Sequence, residues 1–201
     1  MKISRLVKFP LLLLAVLCLL PACESDDPST PEPPTDTSVT GVVIKGPVAD
    51  AQVEIREIAA DGSPGALVAG PVTTGADGDW SAVIPAENTG NLFLVVSRGG
   101  TYVDEATQDP VVIPAGAELY GVVNRRAPSS VAVTPYTHVL QLMVRKIVVD
   151  VGAARAWELA IEYAAAANSF GFDPTKTAPS TDADAPANAK TYAALIGGLA
   201  P

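Results

Sequence analysis

Apolar and polar residues follow one another along this chain in four ways, and each way predicts a different kind of element. Residues 11–20, from Leu11 to Leu20, are an unbroken apolar run, whereas residues 24–37 hold no large apolar side chain at all. From Ser38 the period becomes two. Ala51, Val53 and Ile55 alternate with Gln52, Glu54 and Arg56, and Trp80, Ala82 and Ile84 fall on one face of a second such stretch. Leu92–Ser97 is nearly continuous in its apolar character, as a central strand would be. Val39–Lys45, Val72–Thr74, Thr101–Val103, Val111–Ile113, Leu119–Val123 and Val131–Val133 are further short strand candidates. They are punctuated by turn residues at Pro47–Asp50, Asp61–Gly65, Gly75–Asp79 and Gly99–Gly100. Short strands at this spacing predict an antiparallel β-sandwich.

After Thr134 the period changes to that of a helix. Thr134 can cap with its hydroxyl and Pro135 suits the first helical position, where its missing N–H is no loss. Val139, Leu140, Met143, Ile147 and Val151 then recur three or four residues apart as the expected buried face, and Gly152 breaks the run. A second helix is expected over Ala153–Ser169, with Trp157, Ile161 and either Leu159 or Tyr163 inward, ended by Gly171 and Pro174. Residues 173–186 form a loop. Ala187–Leu199 is a third, Ala-rich helix that runs into Pro201, which suggests a chain shorter than the architecture it belongs to. The expected fold is thus mainly β, a sandwich followed by a short α-helical C-terminal segment. Its organisation is a signal over 1–22, a tether over 23–37, the sandwich over 38–133 and a helical, truncated region over 134–201.

The first 23 residues carry the clearest signal. Lys2, Arg5 and Lys8 precede the apolar run and no acid occurs before Glu24. Charge, apolar core and small residue therefore stand in secretory order. A membrane-spanning helix needs about 20 apolar residues, and this run is bounded by Pro10 and Pro21. Leu20-Pro21-Ala22-Cys23 resembles the bacterial lipoprotein signal, in which the cysteine is acylated and becomes the first residue after cleavage. That resemblance implies lipid attachment at Cys23, with palmitate-type acyl chains as the membrane anchor. It also implies an envelope location, the outer membrane ahead of the inner because Glu24, not aspartate, follows the cysteine. Cys18 follows Leu17 and fits the pattern less well. Residues 24–37 then hold four prolines and five acids. Such a segment cannot offset its ordering entropy by burial and stays extended, at about 3.1 Å per residue.

Composition narrows the function. The chain has 22 acidic and 13 basic residues, and three of those bases lie in the first 22 positions. The remaining 179 residues therefore carry 10 bases and a net charge of −12, which excludes nucleic acid as an expected partner. Two Trp, five Tyr and four Phe leave little for an aromatic ligand groove.

Candidate chemistry is sparse. Asp61, Asp77 and Asp79 could offer oxygen to calcium, but Asp-Gly-Asp lacks the twelve-residue loop and closing glutamate of a calcium-binding hand, and such turns form for backbone reasons alone. Asp104, Glu105 and Asp109 make an acidic cluster that reads as exposed strand-end charge in preference to a paired-carboxylate glycosidase site. His138 is the sole histidine and is expected to be a helix residue, not a catalyst. With no second histidine and Cys23 acylated, no nitrogen-and-sulfur zinc site can be assembled, and no Gly-x-Ser-x-Gly elbow exists. No catalytic residue, cofactor or metal is expected.

Gly46-Pro47-Val48, Ala51-Gln52-Val53-Glu54-Ile55, Thr74-Gly75-Ala76-Asp77-Gly78-Asp79-Trp80 and Ile84-Pro85 together resemble carboxypeptidase regulatory-like modules, which share the transthyretin-like (prealbumin-like) sandwich, an Ig-like arrangement of two sheets. The likeness spans roughly residues 40–100. It implies a structural or interaction module without catalytic residues, with Trp80 plugging the core. Hydroxyisourate hydrolase, a transthyretin-like enzyme, relies on several histidines and a Tyr-Arg-Gly-Ser ending that this sequence lacks. The expected function is a non-catalytic, membrane-anchored envelope lipoprotein whose sandwich meets a protein or glycan ligand at the cell surface, through contacts such as Tyr102 or Tyr136. The alternative is an accessory module of a larger secreted hydrolase or surface protein.

Overall fold

Period-two patterning and frequent turn residues become short strands in a computed structural model that describes residues 35–104, 107–126, 130–167 and 171–197. Cys23, the segment before it, residues 24–34 of the tether and Glu105 lie outside the described residues. The strands are β1 (Thr37–Val43), β2 (Gln52–Ile58), β3 (Pro64–Thr73), β4 (Asp79–Ile84), β5 (Leu92–Arg98), β6 (Thr101–Val103), β7 (Pro110–Val112), β8 (Glu118–Asn124) and β9 (Val131–Val133). One sheet runs β4-β1-β9, a second runs β3-β2-β5-β8, and β6-β7 form a separate hairpin. The two larger sheets enclose a core of Val39, Val43, Val53, Ile55, Ile84, Val95, Val123 and Val133, with Trp80 sealed inside at 4% exposure. Pairing is antiparallel except for β1 with β9, which run parallel. The expected loop over Asp61–Gly65 ends early, because β3 already begins at Pro64. Pro64 can start this strand because β3 lies at the sheet edge, where a missing N–H leaves no ladder bond unmade.

The difference between β2 and β5 explains the third layer. In β2 only Val53 and Ile55 are buried, since their neighbours face outward. In β5, residues 93–97 are all buried, because helices cover its outer face. Leu94, Val96, Tyr120 and Val122 on that face pack against Leu140, Val144, Val148, Ala156, Trp157 and Ala160. Each such aliphatic side chain contributes about 1.5–3 kcal/mol when fully buried, so the helices and the sheet stabilise one another. Gly41 lets the other sheet close: a Cβ there would stand 2.4 Å from the Val131 carbonyl oxygen and 2.6 Å from the Trp80 ring.

Helix α1 (Pro135–Val151) starts as the sequence predicts, with Thr134 at the N-cap and Pro135 following it. The Thr134 hydroxyl accepts from the Thr137 N–H at 3.1 Å, and the Thr137 hydroxyl accepts from the Thr134 N–H at 2.9 Å. Its buried face is the expected one rotated: Leu140 stays inward and Met143 and Ile147 pack at its margin, while Val139 and Val151 turn out. Thr137, Leu140, Gln141, Val144 and Val148 face inward, Met143 and Ile147 are half-buried, and Val139 and Val151 are 45% and 42% exposed. Polar bonds fix the rotation: Thr137 donates its hydroxyl proton to the Tyr120 carbonyl at 2.6 Å and Gln141 donates to the Gly62 carbonyl at 2.8 Å. Val139, Leu142 and Val149 are left as a second, exposed apolar stripe. In α2 (Ala153–Ala167), Trp157 is fully buried and Ile161 packs beside it, but Tyr163 is exposed and Leu159 half-buried. Ala156 and Ala160 take the inner positions because small side chains let the helix approach α1. Helix α3 (Ala187–Gly197) buries Tyr192, whose hydroxyl lies 2.7 Å from the Thr134 hydroxyl.

At the other end of the body Arg125 holds the incoming chain. Its guanidinium donates to the Thr35 carbonyl at 2.8 Å, the Thr37 hydroxyl at 3.0 Å and the Asn88 carbonyl. Asp36 accepts from the Ala86 N–H at 2.9 Å.

Candidate functional site

Where α1 stops covering the outer face of β2, β5 and β8, that face turns polar. Register places Arg98 directly opposite Glu118, and Glu54 opposite Val96, one diagonal step away. Arg98 therefore reaches two acids, with Nη1 2.6 Å from Glu54 and Nη2 2.7 Å from Glu118. Arg56 adds a second contact to Glu54 at 2.7 Å. The Glu54 carboxyl is held below its ordinary range by the hydrogen bond from Arg56, with Arg98 adding to it against a smaller opposing effect of burial. At Glu118 burial is the largest single influence and pushes upward. Hydrogen bonds from Tyr120 and Arg98 together outweigh it, so this carboxyl also lies low. Both acids are ionised and occupied at neutral pH.

Tyr120 connects this strip to α1. Its hydroxyl donates to Glu118, its ring stacks on His138 with centroids 5.1 Å apart, and the Arg145 guanidinium lies 5.6 Å from its ring centre. Burial and the bond to Glu118 raise the phenol's pKa. His138 is half-buried, its Nδ1 makes no hydrogen bond, and burial with the nearby Arg145 charge lowers its pKa against a weaker pull from Glu118. An imidazole in that position is neutral at physiological pH and has no acid–base partner within the strip.

Beside the strip, on the other side of Glu118, the β6-β7 hairpin and the start of β8 line a half-open cavity of about 240 Å³. Its walls are mostly apolar, from Val111, Ile113, Leu119 and the Tyr102 ring, with Lys45 and Glu118 supplying the charge. Gly100 makes this arrangement possible. Its φ is 95°, and a Cβ there would stand 2.6 Å from the Ala49 carbonyl oxygen. The tight turn at Gly99-Gly100 brings Tyr102 back beneath the loop that carries Lys45. The Lys45 ammonium donates to the Tyr102 hydroxyl at 2.9 Å and makes no ion pair with any described residue. Glu118 is different, because Arg98 and Tyr120 occupy both of its oxygens.

The residues singled out from the sequence do not gather here. Tyr102, expected as an exposed contact, is buried at 6% exposure, because the glycine turn folds it inward; Tyr136 is half-buried and packs edge-on to Tyr192. Asp61 sits in the β2-β3 loop, where its carboxylate accepts from the Ser63 hydroxyl and N–H, and those bonds lower its pKa. Asp77 and Asp79 lie at the opposite end of β3, a strand of ten residues, so the three acids cannot share one ion. Among the described residues no group of three His, Cys, Asp or Glu is placed to hold a metal ion. Asp104 accepts from the Thr107 N–H at 3.0 Å and so closes its own turn, while Asp109 is exposed. No helix among the described residues is long and apolar enough to cross a membrane.

Lys45, Arg98, Glu118 and Tyr120 did not stand out in the sequence. Their only signal is a charge or hydroxyl at the end of an otherwise apolar strand, and partners 20 to 57 residues away become visible only once the register is known. Comparison with known protein families, with curated proteins and with solved structures finds no match to this chain.

Proposed function

We propose that this chain is a cell-envelope lipoprotein, anchored to a bacterial membrane through acyl chains on Cys23, whose sandwich is a non-catalytic structural or binding module. The observation that carries the reading is the order of basic residues, apolar run, Ala22 and Cys23 before an acidic, proline-rich tether. The geometry of the body supports binding in preference to turnover. The acids beside the cavity are engaged in ion pairs, and the sole imidazole is stacked on Tyr120 with its Nδ1 making no hydrogen bond to any described residue. A protein or glycan at the cell surface is the partner proposed for the exposed loops. Glu24 after the cysteine favours the outer membrane.

Intact-mass measurement of the membrane fraction tests the anchor. The native chain is expected to carry the mass of its acyl chains and to pellet with membranes, and Cys23→Ala is expected to lose both. Unchanged membrane retention of Cys23→Ala would reject the proposal.

A further inference from the structure

We propose that the cavity between the β6-β7 hairpin and β8 is a binding site for a small monocarboxylate with a short apolar tail, its carboxylate held by Lys45 and Tyr102. The inference extends the binding part of the reading above and is independent of the lipid anchor.

The charge balance of the cavity points to an anion. Two charged side chains line it, and they are not equivalent. Glu118 is paired with Arg98 and also accepts from Tyr120, so its charge is already compensated and a cationic guest gains little there. Lys45 is half-buried, has three N–H donors and directs one of them to Tyr102. A partly desolvated ammonium with open donors takes an anion more readily than water-exposed lysines do, since the local dielectric is lower.

The donor set points to a carboxylate. The Tyr102 hydroxyl accepts from Lys45 and donates to no described residue, so its proton is available beside the ammonium. Two donors 2.9 Å apart match the two oxygens of one carboxylate. A single lysine with a single phenol is a weak receptor for phosphate esters, which favour clustered Arg and Lys.

The walls and the size set the rest of the guest. Val111, Ile113, Pro114 and Leu119 make most of the wall apolar, with the Ser97 hydroxyl as its one uncharged polar side chain besides Tyr102, which favours a hydrocarbon tail over a sugar. At about 240 Å³ the space lies below the roughly 300–1,000 Å³ usual for drug-sized ligands. A tail of a few carbons fits that limit.

Hexanoate is the probe, titrated against the full chain in lipid nanodiscs and read by saturation-transfer NMR, so that partition into lipid is the same for every variant. Hexanoate is expected to bind saturably. Lys45→Met should weaken it at least tenfold, Lys45→Arg should retain it, and Tyr102→Phe should weaken it several-fold. Ala117→Trp, an exposed change at the cavity wall, should block it while the thermal unfolding curve stays in place. Hexylamine, which inverts the charge on the same tail, should not bind. The proposal is overturned if hexanoate fails to bind, if Lys45→Met binds it as the native chain does, or if hexylamine competes equally. Binding retained by Cys23→Ala in free solution would uphold this site whatever becomes of the anchor.

Discussion

Replacing Arg98 with methionine separates the energetic role of the polar strip from that of the packed layers around it. In the native chain this guanidinium holds Glu54 at 2.6 Å and Glu118 at 2.7 Å, with the three side chains only 28%, 16% and 30% exposed. Fully exposed pairs are worth about 0–1 kcal/mol, and breaking fully buried ones costs about 3–5 kcal/mol. This pair lies between. Glu54 keeps Arg56 at 2.7 Å after the substitution, so most of the penalty falls on Glu118, which keeps only the Tyr120 hydroxyl. One charged hydrogen-bonding partner lost at a partly shielded acid amounts to about 2 kcal/mol at pH 7. Both carboxyls have folded pKa values below the ordinary 4.5. Their stabilisation is therefore complete above that value and fades as the pH falls through the folded, lower pKa. Urea unfolding followed by the fluorescence of Trp80 and Trp157, at pH 7 and again near pH 3.5, measures the difference between Arg98→Met and the native chain. The gap should shrink at the lower pH. A gap under about 0.5 kcal/mol at pH 7, or one that is the same at both, would refute the assignment of net stabilisation to these contacts.

Gly41→Ala should destabilise by about 3 kcal/mol in the same assay, the upper end for overpacking, because the new methyl meets the Val131 carbonyl as well as the Trp80 ring. Adding Trp80→Leu to it should leave most of the loss, since a main-chain oxygen cannot rotate away. Tyr192→Phe should cost about 1 kcal/mol, as it deletes the buried bond to Thr134 while Thr134 keeps its contact with Thr137; a larger loss in thermal unfolding would mean that the aromatic packing, and not the hydroxyl, depends on that bond.

The strands were legible because burial follows period two wherever one face meets water. Ala51, Val53 and Ile55 sit where alternation puts them, and the apolar run of β5 is a strand with both faces covered. The N-terminus of α1 was legible too, since Thr134 and Pro135 act within one turn of sequence. Its rotation was not. The helix carries two apolar stripes, through Leu140, Val144 and Val148 and through Val139, Leu142 and Val149, and hydrophobicity alone does not choose between them. The choice comes from Thr137 and Gln141 finding carbonyls on β8 and the β2-β3 loop, 17 and 79 residues away. The cavity was hidden for the same reason. Tyr102 reads as a surface aromatic until the turn at Gly99-Gly100 and the pairing of β6 with β7 set it against Lys45.

Strand β1 gives the body a direction. The polypeptide arrives at Thr37, clamped by Arg125, and Lys45 stands just past the strand's far end, roughly 25 Å on at 3.3 Å per residue. The arginine clamp and the lysine-tyrosine contact thus occupy opposite poles of one short β-strand. The contacts of Arg125 with Thr35, Thr37 and Asn88 and those of Lys45 with Tyr102 share no residue, so a substitution in either set leaves the surroundings of the other in place.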